Sequence, residues 1–396
     1  MNSEILASEV QQFINDNLSS DIQKILLSKS KFLEVSSKEL VEQIESKFKA
    51  KTKLSTWFGS DNIYYPNKLN LSQTSSEITA NYKATLVNGN IIVDLTAGFG
   101  VDSFAFSKKM NHVIHLDRNE ELSKIAHHNF KQLKAFNIEC IAVDGLKYLK
   151  EANTPIEWIY IDPSRRDKDN KKVYYLSDCE PNVIINMKLL LEKSSNILIK
   201  TGPLLDLKSG LKELSHVKEI HVVAVNNDVK EILWLIEKDY KNEPLIKTVN
   251  YKTDSIQEFE FHLSREQNSA SHYSKPLNYI YEPNAALLKS GAFKLLGEHF
   301  DLRKLHSNSH LYTSDQLITF PGRIFKLEGV HDYSKKSLKK EGITKANITT
   351  RNFPDSVLKI RKKLGIKDGG EIYLFCTTDF EENLVIISCL QIFQDH

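Results

Sequence analysis

Glycine and acidic residues follow several short apolar runs in the middle of the chain, and such residue types suit the binding of a nucleotide-like ligand. The first segment, VDLTAGFGVDS, carries Asp94, Gly98 and Gly100. Glycines let the backbone approach a ligand that a Cβ atom would block. We interpret Asp94 as a partner for the ammonium group of a methionine moiety, whose carboxylate would face the turn amides and the helix start. An ordinary strand-to-helix turn is the alternative interpretation.

Two further acids follow the next apolar runs. In HVIHLDRNEEL, Asp117 lies 17 residues beyond Gly100, where an acid can accept both hydroxyls of a ribose. Its alternative role is an N-cap for the helix that follows. In CIAVDGLKYL, we interpret Asp144 as the acceptor for the exocyclic amine of adenine, and an ordinary Asp-Gly turn is the alternative.

The fourth segment, WIYIDPSRRDKDNKK, ends an apolar run with Asp162 and Pro163. Proline fixes the local backbone, so that carbonyl groups can point into a cleft. A group transfer by in-line displacement needs a positioned lone pair on the acceptor, and a carboxylate can orient an acceptor amine or take its proton. We therefore predict that Asp162, with Pro163, forms the catalytic position.

Basic and aromatic residues directly follow this position. Arg165 and Arg166 suit the phosphates of a polyanionic substrate, although solvated charge is the alternative. Tyr174 and Tyr175 suit stacking on a splayed base, or else the packing of the loop. We interpret Cys179 as an inert thiol in preference to a nucleophile, since no activating group lies near it in the sequence.

Short apolar runs separated by helical stretches would hold these residues from Ile91 onward. This alternation predicts an α/β fold with a mostly parallel sheet and helices on both faces. The last two runs are joined only by NNDVK, which is too short for a helical crossover, so we predict an antiparallel hairpin at the sheet edge. The seven predicted strands carry the runs IIVDL, HVIHL, IECIAV, IEWIYI, NILIK, EIHVVAV and EILWLI.

The N-terminal flank is predicted to be helical and to form a cap over residues 1–75. Ser36 and Glu39 have the spacing of a capping box. The next apolar residues recur on one predicted helical face, which consists of Leu40, Val41, Ile44 and Phe48. The basic residues near the end of this helix are interpreted as solvated charges; they are Lys47, Lys49, Lys51 and Lys53.

The C-terminal flank lacks the regular alternation and is predicted to be α+β. The sheet domain is predicted to cover residues 76–240, and the polar stretch EKDYKNEPLIKTVNYKTD to form a linker after it. The remainder is predicted to hold two modules, 241–320 and 321–396. Within the first, YEPNAALLKSGAFKLLG predicts one amphipathic helix, with Pro283 near its first turn and Gly297 near its end.

Bulk composition indicates a globular protein. Of the residues 41% are hydrophobic and 26% charged, and 53 basic against 51 acidic residues give a net charge of +2. Any nucleic-acid surface must therefore be local. The four cysteines form no CxxC pair, which argues against structural zinc and against a disulfide framework. We expect no metal, no signal peptide, no membrane span, and a cytoplasmic location.

The segments DLTAGFG, LDRN, VDG and IDPSRRD, in this order and at these intervals, resemble class I S-adenosylmethionine-dependent methyltransferases. Together with LSDCEPN, YEPNAALLKSGAF and NITTRNFPDSVLKIRKKLGIKDGG, they resemble bacterial methyltransferases with a C-terminal THUMP-like domain. The resemblance implies a Rossmann-like sheet, a ferredoxin-like module over 241–320 and S-adenosyl-L-methionine as cofactor. It also implies which residues bind this methyl donor, called the donor below: Asp94, Gly98, Gly100, Asp117 and Asp144.

The resemblance further implies an RNA substrate, either ribosomal or transfer RNA. A basic cluster near the C-terminus supplies charge for phosphates, although an exposed helix face is the alternative; it consists of Lys335, Lys336, Lys339, Lys340, Arg351, Lys359, Arg361, Lys362 and Lys363. Methyltransferases that modify base amines commonly have an aromatic residue after Asp-Pro-Pro, whereas Ser164 and Arg165 follow Asp162-Pro163 here.

Three other functions compete with this one. A nicotinamide-dependent oxidoreductase uses a similar sheet, but the glycine turn lacks the full GxGxxG pattern. A non-catalytic RNA-binding factor that keeps the donor pocket would also fit the unusual IDPSRRD segment. DNA methylation is less favoured, because the C-terminal module resembles RNA binders.

Overall fold

The computed structural model describes residues 1–165 and 175–393 of the chain. The chain divides into two units. The first comprises Met1–Lys218 and Ile232–Lys241, and the second comprises Glu219–Glu231 and Asn242–His396. The predicted residues Arg166 and Tyr174 lie outside the described residues, and Arg165 is described only by its backbone.

Helices form the N-terminal part of the first unit. A 3-10 turn over Ser3–Leu6 precedes α1 (Ser8–Asp16), α2 (Ile22–Leu27), α3 (Ser37–Lys53), α4 (Ser55–Phe58), α5 (Lys68–Gln73) and α6 (Glu77–Thr85). The capping box predicted for α3 is confirmed, since Ser36 and Glu39 bond to one another's backbone amides.

The buried face of α3 is rotated from the predicted one. Leu40, Val41 and Ile44 are buried as predicted, but Phe48 is 52% exposed and Lys47 takes the inner position. Burial lowers the pKa of Lys47, against the opposing charge of Asp61. The prediction of Lys47 as a solvated charge was therefore wrong; a lysine stem can pack on apolar surface as hydrocarbon does.

Parallel strands form one side of the large sheet, including one of its two edges. They are β1 (Gly89–Asp94), β2 (Met110–Leu116), β3 (Ile138–Ile141), β4 (Ile156–Ile161) and β7 (Ser194–Thr201), while β9 (Asp228–Glu237) pairs antiparallel to β7. The helices between them are α7 (Val101–Ser107), α8 (Glu120–Gln132), α9 (Gly145–Glu151), α10 (Val183–Lys193) and α11 (Leu207–Glu213). The mixed α/β fold is thus confirmed.

A separate two-stranded ribbon follows β4. It consists of β5 (Ser164–Arg165) and β6 (Cys179–Glu180), which pair antiparallel, and a 3-10 turn over Leu176–Asp178 lies between them.

The sheet has nine strands instead of the predicted seven. Its order is β11-β10-β8-β9-β7-β4-β1-β2-β3, where β8 is Val217–Val225, β10 is Leu245–Tyr251 and β11 is Ile256–His262. The predicted hairpin strands β8 and β9 are neighbours, but they do not lie at the sheet edge, because β10 pairs parallel to β8 and β11 antiparallel to β10.

The stretch predicted as a linker contains β10, and its polar residues concealed the strand. Thr248 and Asn250 are each 1% exposed. Thr248 Oγ1 donates to the Phe259 carbonyl at 3.1 Å, and Asn250 Nδ2 donates to Gln257 Oε1 at 3.0 Å. Because hydrogen bonds satisfy these buried groups, the strand does not need the apolar pattern by which buried strands are predicted.

A second sheet lies wholly within the second unit, with the order β13-β14-β12-β15-β18-β17-β16. Its strands are β12 (Tyr279–Pro283), β13 (Arg303–Lys304), β14 (Tyr312–Ser314), β15 (Gly322–Asp332), β16 (Lys345–Arg351), β17 (Lys367–Thr378) and β18 (Leu384–Ile392). All its pairs are antiparallel except β16 with β17. The helices of this unit are α12 (Leu263–Asn268), α13 (Ala285–Ser290), α14 (Leu295–His299), α15 (Lys335–Lys340) and α16 (Val357–Leu364).

The single helix predicted after Pro283 is two short helices. Pro283 is the last residue of β12. The helix α13 ends at Ser290, and its C-cap residue Gly291 has a φ of 82°, a left-handed conformation. Gly297 lies inside α14 and not at a helix end. Glycine is the residue that most readily adopts this C-terminal conformation, so Gly291 breaks the helix that periodicity alone would continue.

A buried ionic cluster joins α6 to α7 in the first unit. Lys83 Nζ lies 3.2 Å from Asp102 Oδ1, and Ser75 Oγ and the Tyr160 hydroxyl donate to Oδ2 at 2.8 and 2.9 Å. Burial opposes the ionisation of Asp102, but the charges of Lys83 and Lys200 and these hydrogen bonds hold its pKa below the ordinary value.

Aromatic side chains join the N-terminal helices to the residues that follow. The ring of Trp57, which is fully buried, lies 4.6 Å from that of Phe99, 5.8 Å from that of Phe104 and 6.3 Å from that of Phe130, measured between centroids. The N-terminal helices are thus part of the first unit's core.

We predict that Gly100→Ala destabilises the protein by about 2–4 kcal/mol. Gly100 has a φ of 92°, and a Cβ atom there would lie 2.4 Å from Phe130 Cζ. Gly98→Ala is the matched control, since Gly98 also has a positive φ, of 57°, but its nearest neighbour would be 4.0 Å away. Denaturant unfolding should show a clearly larger loss for Gly100→Ala; equal losses would contradict the packing argument.

We predict that Lys83→Met lowers the free energy of unfolding by about 3–5 kcal/mol, because it leaves the buried Asp102 without its paired charge. Lys109→Met removes an exposed lysine of the same unit and should change stability by less than about 0.5 kcal/mol. Urea denaturation of both variants compares them directly, and a loss for Lys83→Met no greater than that of the control would refute the role of the pair.

Candidate active site at the strand ends of the first unit

The turn between β1 and α7 depends on its two predicted glycines. Gly98 and Gly100 both have positive φ, and Gly100 is the N-cap residue of α7. The amide of Ala97 donates to the Leu116 carbonyl at 3.0 Å. The turn is therefore held against the end of β2, with the glycine backbone supplying conformations that other residues rarely adopt.

Asp117 joins this turn to the end of β2. Its Oδ2 accepts from the Gly98 amide at 2.9 Å, and its Oδ1 accepts from the Asn119 amide at 2.7 Å. The N-cap of α8 is Asn119, whose side chain accepts from the Leu122 amide. The alternative interpretation of Asp117 as the N-cap was therefore wrong, and its carboxylate lies beside the glycine turn.

Asp144 lies after β3 and caps α9 by accepting from the Lys147 amide at 3.0 Å. The next residue, Gly145, packs so closely that a Cβ atom there would lie 2.6 Å from the Leu95 carbonyl oxygen. Leu95 follows Asp94 directly, so this close packing brings the exposed Asp144 to the edge formed by the end of β1. Capping and ligand contact can coexist, because a carboxylate has several acceptor positions.

Asp94 is fully buried at the end of β1. Its Oδ2 accepts from the Ser103 hydroxyl at 2.7 Å, and its Oδ1 accepts from the Thr96 amide at 3.2 Å. Burial raises the pKa of Asp94 to about 8, with the nearby charges of Asp102 and Asp162 acting in the same direction. Asp94 therefore lies among neutral donors and like charges.

Asp162 follows β4 and contacts the same turn. Its amide donates to Thr96 Oγ1 at 2.7 Å, and Pro163 beside it is buried. Its Oδ2 lies 2.5 Å from Lys200 Nζ on β7, and the two side chains are 32% and 13% exposed respectively. The structure thus brings Asp162 to the edge where Asp94, Gly98 and Asp117 meet.

Lys200 and the cluster around Asp102 were not among the residues predicted from the sequence. Lys200 is the charged residue that ends the apolar run NILIK, next to Ile199, which pairs with Ile161. A charge at the carboxyl end of a buried parallel strand was the available signal. Asp102 lies two residues beyond Gly100, but its partner Lys83 belongs to another helix, and only the fold brings them together.

The predicted substrate residues have different surroundings. Tyr175 is 55% exposed. In the second unit, the Lys359 side chain pairs with Asp355 at 2.5 Å and remains 69% exposed. Arg361 donates to the Ala346 carbonyl at 3.1 Å and pairs with Asp368, so it holds α16 to the sheet. Lys359 remains available to a partner, whereas Arg361 is largely engaged.

The helices α15 and α16 carry most of the predicted basic cluster and lie side by side. The Cε atom of Lys335 lies 3.2 Å from the position that a Cβ atom of Gly365 would take, so the side chain of α15 reaches the end of α16. Lys363 Nζ lies 3.8 Å from the centre of the Tyr333 ring. The exposed lysines of this basic surface are Lys335, Lys336, Lys339, Lys340, Lys359, Lys362 and Lys363. Arg351 is bonded elsewhere, to Glu282.

Metal-binding clusters and membrane-spanning helices are both absent from the described residues. No group of three or more His, Cys, Asp or Glu side chains among them could hold a metal ion. None of the helices in residues 1–165 and 175–393 is long and apolar enough to cross a lipid bilayer.

Known proteins match both halves of the chain. The "putative methyltransferase" of Porphyromonas gingivalis W83, a crystal structure, is 34% identical, with 99% of each chain covered and a TM-score of 0.89. An "uncharacterized RNA methyltransferase" of Mycoplasma mobile is 29% identical over 99 residues, which are 25% of this chain and 27% of that protein. This chain thus spans about a quarter of that curated relative.

Family models match the C-terminal part. A ferredoxin-like domain matches residues 279–321, and a THUMP domain-like model matches residues 322–390. The THUMP-like domain expected from the sequence is confirmed. Since identity to the Porphyromonas protein extends over the whole chain, this protein belongs to the same family, a class I methyltransferase family with a C-terminal THUMP-like domain.

Proposed function

We propose that this protein is an S-adenosylmethionine-dependent methyltransferase that acts on RNA, with ribosomal or transfer RNA as the acceptor. The observation that carries the proposal is the arrangement of Asp94, Asp117 and Asp162 around one glycine turn, in a chain of a methyltransferase family. Ligands of open α/β sheets bind at the carboxyl ends of the strands.

The residues at this edge fit the proposed donor. Within the described part of the chain, the hydrogen-bond donors to buried Asp94 are the neutral groups of Ser103 and Thr96, so an ammonium group would compensate its charge. We assign the ribose hydroxyls to Asp117 and the adenine amine to Asp144. When bound, S-adenosylmethionine supplies a methyl group on a positively charged sulfur.

In this proposal Asp162 acts by positioning the group that accepts the methyl. Lys200 pairs with its Oδ2, which fixes the orientation of the carboxylate. Oδ1 is then the oxygen that can accept a hydrogen bond from the acceptor group and align its lone pair for in-line displacement. Lys200 is a positioning residue in this arrangement.

An RNA substrate is supported by features of the second unit. The basic surface on α15 and α16 places exposed lysines on adjacent helices, which suits successive phosphates. The THUMP domain-like match covers both helices. The name of the Mycoplasma mobile relative, an RNA methyltransferase, agrees with this substrate.

We predict that the affinity for S-adenosylmethionine rises with pH between about pH 5.5 and 7.5, by up to about tenfold per pH unit. The pKa of Asp94 is raised to about 8, so the free protein holds it protonated below that pH, and binding an ammonium group must release the proton. Calorimetry in buffers of different ionisation enthalpy measures this release. In Asp94→Asn the rise should disappear; an unchanged rise would show that Asp94 does not contact the ammonium.

We predict that Asp162→Asn lowers methyl transfer roughly 100-fold or more while donor binding persists. The assay measures transfer of labelled methyl groups from S-adenosylmethionine to size-fractionated RNA from cells lacking this protein. Lys200→Met should also lower the rate, because Asp162 loses its orienting partner.

Asp16→Asn is the matched control for this assay, since it removes an exposed carboxylate of α1. It should leave transfer unchanged. Label in one RNA fraction that is lost in Asp162→Asn would support the proposal and identify the substrate. Donor binding without label in any fraction would contradict it for mature RNA and favour a non-catalytic RNA-binding factor.

A further inference from the structure

Two arginines of the second unit share one buried carboxylate. Glu282, at the end of β12, is 2% exposed. Its Oε2 accepts from Arg323 Nε at 2.7 Å, and its Oε1 accepts from an Arg351 guanidinium nitrogen at 2.8 Å. One negative charge therefore faces two positive charges, and the two arginine side chains remain 32% and 33% exposed.

Further polar groups lie in the same region. Lys304 is 2% exposed, and its Nζ donates to the Ser307 carbonyl at 2.8 Å. Burial lowers the pKa of His310 to about 4, and the charges of Lys304 and Arg351 act in the same direction, so the three groups are within electrostatic reach of one another. Burial also lowers the pKa of Lys304 to about 8, against the opposing charge of Glu266. The region thus holds three basic side chains against two carboxylates.

Two buried nitrogen atoms here have no hydrogen-bond partner among the described residues. They are Arg351 Nε and His310 Nδ1. Buried polar atoms of folded proteins are nearly always hydrogen-bonded, because leaving one unpaired costs its full desolvation energy. One of the two, Arg351 Nε, belongs to the arginine pair itself, so this pair keeps a hydrogen-bond donor that no described residue satisfies.

Aromatic side chains lie beside these charged groups. The ring of His310 stacks on Phe293, with centroids 3.6 Å apart. The guanidinium of Arg323 lies over the rings of Phe325 and Tyr373, at 5.3 and 5.6 Å from their centroids. Stacked arginines and aromatic rings are the groups with which proteins hold nucleotide bases.

We propose that Arg323 and Arg351, with Lys304 and His310 beside them, form a binding site for a phosphate group carried by a nucleotide. Arginine forks match the oxygens of phosphate, and Glu282 orients both forks while leaving one positive charge uncompensated. Binding of a phosphate that is part of an RNA chain rests on the proposed RNA substrate. Binding of a free nucleotide does not.

This site is distinct from the basic surface of α15 and α16. Glu282 and Arg351 come from YEPNAALLKSGAF and NITTRNF, two segments that the proposed methyl transfer leaves without a role. Glu282 belongs to the ferredoxin-like match and Arg323 and Arg351 to the THUMP domain-like match, so the site draws on both modules.

Binding of adenosine 5'-monophosphate and of a fluorescent RNA oligonucleotide to the full chain, at constant ionic strength, tests the proposal. Arg351→Gln should weaken binding of the mononucleotide by about tenfold or more, since a charge-assisted contact is lost. Arg351→Lys keeps the charge but loses the fork and should be intermediate. Lys252→Gln removes an exposed charge of the second unit outside the basic surface and should leave binding of both probes unchanged.

Glu282→Gln should change the affinity for phosphate in the opposite direction. It keeps the shape of the side chain but removes the competing anion, so phosphate affinity should rise, whereas a purely structural ion pair would only lose stability. If Glu282→Gln does not fold, the two Arg351 variants still decide, with thermal unfolding as the check on their folding.

Weaker binding of both probes by Arg351→Gln would support a phosphate site open to free nucleotides, and weaker binding of the RNA alone would support a chain-borne phosphate. Folded Arg351→Gln with wild-type affinity for both probes would overturn the site. This binding experiment does not depend on methyl transfer. The mononucleotide result therefore stands even if the methyltransferase proposal fails.

Discussion

The hydrogen bond from the Gly98 amide to the Asp117 carboxylate joins the glycine turn after β1 to the end of β2. The rest of the candidate site is arranged around that junction. The Thr96 hydroxyl accepts from the Asp162 amide, and Gly145 packs against Leu95, so the ends of β4 and β3 reach the same place. A chain that could not adopt the positive φ of Gly98 and Gly100 would lose this arrangement.

Local sequence patterns predicted the parts of the fold that depend on local physics. The capping box of α3 and the runs that form β1 to β4 are short-range features, and they are where the sequence placed them. The failures arose where tertiary contacts override the pattern. Lys47 packs inward, and buried Thr248 and Asn250 make β10 a strand although its composition resembles a linker.

The candidate site was predictable only in part. Strand-end acids are visible in a sequence, because the apolar run before each one marks the strand. Partnerships across the fold are not visible: Lys200 lies 38 residues from Asp162, and Lys83 belongs to a helix that precedes the whole sheet. The same holds for Arg323 and Arg351, whose common partner Glu282 is 41 and 69 residues away.

The packing of Trp57 has a consequence for the order in which the chain can fold. Its partners Phe99, Phe104 and Phe130 all come later in the sequence, and Tyr64 likewise bonds through its backbone to Asn129. During synthesis from the N-terminus, the first helices therefore emerge with an apolar face that stays open to water until α8 has been made. Docking of these helices is a late, long-range event, of the kind that slows folding.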